Sequence, residues 1–128
     1  MSIDAPVFAR AVPVLRVFDE AAARAFYCGF LGFVVDWEHR FHEGAPLYMQ
    51  VARSGVLLHL TEHHGDACPG STVFVPLEGL DALHAELGAK AYKYARPGIE
   101  PVDWGRQMRI AAPFGNTLRF TETRSGGA

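Results

Sequence analysis

Long hydrophobic runs are missing from this chain: its apolar stretches are strand-length, too short to span a bilayer. Cysteine is scarce, with only Cys28 and Cys68. That excludes a disulfide framework and predicts two free thiols. An excess of charge is missing too. The formal net charge is −2, and no run or face gathers Lys and Arg, which argues against a nucleic-acid partner. The N-terminal residues carry no basic-then-apolar leader, because Asp4, Pro6 and Arg10 interrupt it. The expectation is a cytoplasmic protein without a membrane partner. Gly-x-Ser-x-Gly, phosphate-loop and Cys-x-x-Cys motifs are all absent. Cys28 reads as a small core residue of a helix, and Cys68 has no base beside it in the chain.

What remains is an ordinary globular composition: 128 residues, 49% apolar and 20% charged, enough for a single domain with a substantial core. Residues 8–18 are predicted as a strand, with Val12, Val14 and Arg16 on one face. Asp19 is placed to cap a helix over residues 20–31, where Ala22, Ala23, Phe26, Tyr27, Phe30 and Leu31 recur at helical spacing and Gly32 stops the element. Strands are predicted at 33–40, 47–53 and 56–62, the last two joined by the hairpin signal Ser54-Gly55. Residues 63–71 are polar, contain Pro69-Gly70, and read as a linker.

The pattern then repeats. A strand at 72–77 precedes a helix opening at Gly79-Leu80-Asp81, with Leu80, Leu83 and Leu87 inward. Residues 89–103 read as irregular, and strands follow at 106–112 and 117–123 around the turn Pro113-Phe114-Gly115-Asn116. Strand–helix–strands occurs twice, in modules at about 8–62 and 72–123. The fold class is α+β, with two βαβββ modules forming a concave mixed sheet.

Several motifs sit on this frame in order: Ala11-Val12-Pro13-Val14-Leu15, Phe26-Tyr27 with Leu31-Gly32-Phe33, Gly79-Leu80-Asp81, Trp104-Gly105-Arg106, and Pro113-x-Gly115-Asn116. Together they resemble the vicinal-oxygen-chelate superfamily, which holds glyoxalase I, extradiol dioxygenases and antibiotic-resistance proteins. Within it, the likeness is to bleomycin-resistance proteins. One departure is Ala112 before Pro113, where the family turn usually begins with Asp.

Superfamily enzymes hold one divalent metal with four side chains, two from each module. The resemblance places Val12, His59, Thr72 and Arg119 at those positions. Strand parity agrees, since Leu58, Leu60, Leu118 and Phe120 should face the helices and leave His59 and Arg119 on the concave side. Valine has no donor atom and arginine stays cationic, so the expectation is no metal, no cofactor and no catalytic residue. The alternative is a metal-dependent glyoxalase- or dioxygenase-like enzyme with ligands relocated to the cluster of His59, Glu62, His63 and His64 at a strand end, while His39 and His42 lie near another strand end. A scaffold that mainly contacts other proteins is a third reading.

The resemblance implies instead a small-molecule ligand, a bleomycin-type glycopeptide sequestered in two grooves of a homodimer, with N-terminal arms exchanged near Pro13. It carries a groove tryptophan over to Trp104. Parity adds Tyr48 and Gln50, and Trp37 and Phe41 are further aromatic candidates beside His59, Arg109 and Arg119. Asp36, Glu38 and Glu43 would attract a cationic drug, whereas Arg106, Arg109 and Arg119 facing the concavity would oppose it and favour an anionic or neutral guest.

Overall fold

The computed structural model describes residues 5–90, 92 and 97–123. Alternation of side chains builds its two sheets. In β1 (Val14–Arg16), β2 (Val34–His39), β3 (Tyr48–Arg53) and β4 (Val56–Thr61), Leu15, Met49, Val51, Leu58 and Leu60 point to one side and are buried. These strands form one sheet in the order β1-β4-β3-β2, with β1 parallel to β4 and the other pairs antiparallel. The strands β5 (Thr72–Pro76), β6 (Ile99–Val102), β7 (Gly105–Ala111) and β8 (Thr117–Thr123) repeat the plan as β5-β8-β7-β6. There Val75, Met108, Ile110, Leu118 and Phe120 are the buried set. Between β1 and β2 lies helix α1 (Glu20–Ala23), and between β5 and β6 lies α2 (Leu80–Ala89). Two βαβββ modules are therefore present, as the sequence pattern implies.

Asp19 caps α1 as expected, its carboxylate accepting from Ala22 N at 2.9 Å. The helix does not continue as α. From Arg24 to Phe30 it widens into a π-helix, with Leu31 N bonding back to Phe26 O. Phe26, Tyr27, Phe30 and Leu31 are all buried, and Gly29 needs no packing there because it is exposed. In α2, Leu80 and Leu87 are buried and Leu83 is partly so. One apolar cluster joins both modules. Burying each of its large side chains is worth about 1.5–3 kcal/mol.

Beyond strand ends that shift by a residue or two, further differences from the sequence reading lie in the first strand, in residues 89–103 and in the turn after β7. The first strand begins at Val14, not near residue 8: Pro13 has no N–H to give, and only its carbonyl pairs, accepting from His59 N at 2.9 Å. Residues 89–103, read as irregular, contain β6, while residues 91 and 93–96 of that stretch lie outside the described residues. Pro101 disguised β6, yet it is tolerated because β6 is the edge of its sheet. In the turn after β7, the left-handed residues are Phe114 and Gly115, at φ 75° and 87°. Asn116 is extended and buried, and its amide donates to Arg16 O at 3.0 Å and accepts from Ser71 N at 3.2 Å. The hairpin at Ser54-Gly55 has φ of 51° and 81°, as an Xaa-Gly turn of that hand requires. Among the described residues, no helix is long and apolar enough to cross a membrane.

Candidate functional site

Each sheet has a face turned away from the core, and the register decides which side chains stand there. In the first sheet Gln50 is opposite both Trp37 and His59, Tyr48 is opposite His39 and Thr61, and Val14 is opposite His59. Trp37, Tyr48, Gln50 and His59 therefore share the open face. A register shift between Val35 and Trp37 frees Asp36 from regular pairing, and its carboxylate accepts from Gln50 Nε2 at 2.9 Å.

That last bond orders the rest. With Nε2 of Gln50 committed to Asp36, its Oε1 is the acceptor that meets His59 Nε2 at 2.9 Å. His59 then carries its proton on Nε2, and its bare Nδ1 accepts from the Tyr48 hydroxyl at 2.7 Å. The ring is neutral in this network, and burial pushes its pKa below the ordinary histidine value. Burial, then the nearby Asp66 carboxylate, pushes the Tyr48 hydroxyl up, so it remains a donor. Trp37 lies parallel to Tyr48, 6.0 Å between centroids and 7° between planes, and meets the His59 edge at 5.2 Å. Phe41 stands apart on the turn after β2, against His39 and His63. Neither Trp37 nor Phe41 is a core residue: they are 43% and 76% exposed.

The second sheet is built to the same register with different chemistry. Arg119 is opposite Arg109 and Phe74, as His59 is opposite Gln50 and Val14. Arg119 Nε donates at 3.1 Å to Oε1 of buried Gln107, which also accepts from the Thr121 hydroxyl. The guanidinium lies over Phe74, 5.4 Å from the ring centroid. Arg106 does not join them, so of the three arginines weighed from the sequence only Arg109 and Arg119 stand on this face. Parity turns it to the helix side, where it pairs with Asp81 and Glu122. Trp104 occupies the two-residue turn between β6 and β7 and is 45% exposed.

Among the described residues, no hydrogen bond, ion pair or ring contact links the two open faces. Two clefts open elsewhere. One of about 500 Å³ lies between the modules, lined by Leu31, Phe33, Val56, Leu83 and Phe120 beside Arg53 and Glu86. The other, about 320 Å³, lies by Arg16, Arg40 and Glu62. Neither takes in a residue expected to bind the ligand, although Glu62, a candidate for a relocated metal site, lines the second.

The four positions that the resemblance assigns to a metal do not fit one. Val12 offers no donor, Arg119 brings a positive charge, and both nitrogens of His59 are spent on Tyr48 and Gln50. Thr72 alone is no site. The histidines near the strand ends do not replace them: Glu62 accepts from Leu47 N, the His42 ring meets Glu43 O, and no three His, Cys, Asp or Glu side chains converge among the described residues. Phe74, Gln107 and the bridging role of Asp36 were missed in the sequence. Phe74 and Gln107 share parity with Thr72 and Arg109, which was the signal available for them.

A family model described as glyoxalase superfamily protein matches residues 2–127. No curated protein matches the chain. Among solved structures, the bleomycin-binding protein of bleomycin-producing Streptomyces verticillus, complexed with copper(II)-bleomycin, superposes with a TM-score of 0.67 at 28% identity, covering 94% of this chain and 100% of that one. The antibiotic-binding protein TnmS3 from Streptomyces sp. CB03234 gives 0.68 at 22% identity over 93% and 100%. A glyoxylase/bleomycin resistance protein/dioxygenase domain from Frankia sp. EAN1pec gives 0.72 at 14% identity over 93% and 100%.

Proposed function

This chain belongs to the glyoxalase superfamily, and from that premise we propose that it is a single-domain, metal-independent small-molecule binding protein that sequesters an antibiotic of bleomycin type and carries out no reaction. The observation behind this reading is the donor set. A divalent ion has no ligands to gather where Val12 and Arg119 stand and where His59 is already bonded on both sides. What the open faces offer is stacking and hydrogen bonding. Trp37 and Tyr48 present parallel rings, with Phe41 and Trp104 as further exposed aromatics. Arg109, Arg119 and the remaining proton and lone pair of the Gln50 amide supply the polar contacts, while His59, bonded on both sides, lines the face and holds Tyr48 and Gln50 in place. The likeness to the copper-bleomycin complex supports the same reading.

Neither cleft described above lies on the open faces, and the reading includes a homodimer in which a second copy walls them in. Val7 and Phe8 on the N-terminal segment are 79% and 90% exposed, apolar surface of the kind a partner covers. The reading also keeps the protein in the cytoplasm, where Cys28 and Cys68 stay reduced.

Titration of the metal-free protein with metal-free and copper-loaded bleomycin tests it, beside metal analysis of tagless material. Saturable binding that survives chelator is the expected result. Stoichiometric zinc or nickel in the purified protein, or a metal-dependent turnover, would sink the reading.

A further inference from the structure

Most arginines of the described chain that lie near a carboxylate use it. Arg24, Arg40, Arg53 and Arg106 each form an ion pair. Arg109 and Arg119 do not, although they are direct register partners on β7 and β8 and so leave the same face. Like charges in that relation repel. Glu100 shares the face, opposite Gln107, yet pairs with neither among the described residues.

The arrangement is held open. Arg119 is fixed through Nε by Gln107 and through its face by Phe74, which leaves its two terminal nitrogens without a partner among the described residues. Arg109 is exposed, and its side chain makes no hydrogen bond among the described residues. The fold does not require charge at these positions, because the equivalent pair in the first sheet is the neutral Gln50–His59. Two planar forks with free donors, one of them anchored, match an oxyanion bidentately. Phe74, 44% exposed, adds an apolar surface beside them.

We propose that Arg109 and Arg119 form an oxyanion site that takes a carboxylate or phosphate group of the bound ligand, with Phe74 and Gln107 positioning Arg119. This rests on the reading of the protein as a small-molecule binder and adds the charge of the group that the second sheet accepts. A cationic group of the ligand is disfavoured at this face and left to the first sheet, where Asp36 stands.

Calorimetric titration with phenyl phosphate, benzoate, inorganic phosphate and uncharged benzamide tests it. Phenyl phosphate should bind saturably to the wild type, with inorganic phosphate competing. Arg109→Gln and Arg119→Gln should each weaken it at least about tenfold, the scale of losing one charged hydrogen-bonding partner. Arg109→Lys should recover part of the loss, and Arg106→Gln should leave binding unchanged. Equal loss in Arg106→Gln, or no loss in Arg109→Gln, would overturn the proposal. So would a double variant, Arg109→Gln with Arg119→Gln, that sediments as a smaller species than wild type, since the arginines would then serve a subunit contact. Benzamide binding that depends on Trp37, with no phenyl phosphate binding, would overturn the anion site and leave the binder reading standing. Binding of neither probe would count against both.

Discussion

The Tyr48 hydroxyl stands 2.7 Å from Nδ1 of His59, and that contact, with Gln50 on the other ring nitrogen, commits the imidazole to a neutral hydrogen-bonded role. Its consequence for pH runs in one direction. Burial lowers the folded-state pKa of His59 below 6.5, so the unfolded chain takes up the proton first. The stabilisation is present above about pH 6.5 and is lost as pH falls through the folded value. Histidine ring resonances should place His59 below 6.5, and the urea midpoint should fall on acidification. His59→Asn should flatten that part of the profile. A His59 ring titrating above 6.5 would contradict the network.

Trp37 is stacked on Tyr48 yet 43% exposed, which leaves part of its ring open to a ligand. Trp37→Ala should weaken a flat ligand by about 1–3 kcal/mol, the worth of a stacking partner and its buried area. Stability should also fall, by about 1–3 kcal/mol, because more than half of the side chain is covered, against Tyr48 and His59. Trp104→Ala, on a hairpin turn without a ring neighbour among the described residues, offers the comparison. Fluorescence titration reads both. If only Trp104→Ala weakens binding, the ligand sits on the second sheet.

The modules are tied by Arg53, which donates to both Glu86 carboxylate oxygens at 2.8 Å and to Leu31 O at 2.7 Å. The Arg53 hydrogen bonds hold the Glu86 carboxyl below its ordinary range. A lowered pKa stabilises above about 4.5 and is lost as pH falls through the folded value. The pair is about one-third exposed, so solvent screening limits its worth. Glu86→Gln should cost about 0.5–1 kcal/mol at neutral pH and nothing further in acid. Urea melts at pH 7 and pH 3.5 measure the difference.

The open-face residues were legible because a period of two needs no tertiary information: with Leu58, Leu60, Leu118 and Phe120 assigned inward, His59 and Arg119 could only face out. The two modules were legible for the same reason. Partners were not. Which carboxylate Arg106 takes depends on α2 bringing Asp81 alongside, a contact set by packing across 25 residues of chain. The π-helix was invisible because its apolar spacing also fits an α-helix. Asn116 read as a turn residue, whereas its side chain bridges Arg16 and Ser71, a role that only the assembled core defines. β6 was hidden by Pro101, a residue that forbids a central strand but not an edge.

Tyr27 is fully buried, and its hydroxyl forms no hydrogen bond of ordinary geometry. The neighbouring Asn116 amide is spent on Arg16 and Ser71. Burial pushes the Tyr27 pKa up to about 12. An unsatisfied buried hydroxyl costs more than the packing it adds. Tyr27→Phe should therefore leave stability unchanged or raise it by about 1 kcal/mol in a urea melt. A loss above about 1 kcal/mol would reveal a working bond to Asn116.

Gly105 opens β7 immediately after Trp104, at φ +151°, with its backbone against β8. A Cβ there would sit 2.0 Å from the carbonyl oxygen of Glu122, so relief must come from backbone movement and not from a side-chain rotation. The displaced strand end would also carry away Glu122, which accepts from Arg106 at 2.7 Å and from Leu80 N at the start of α2 at 3.3 Å. Gly105→Ala should cost at least about 2–3 kcal/mol, combining backbone strain with overpacking. Ala111→Gly, near the far end of the same strand and exposed, should cost under about 1 kcal/mol. Chemical denaturation compares the two, and equal costs would mean that β7 and β8 part at the Trp104 end without penalty.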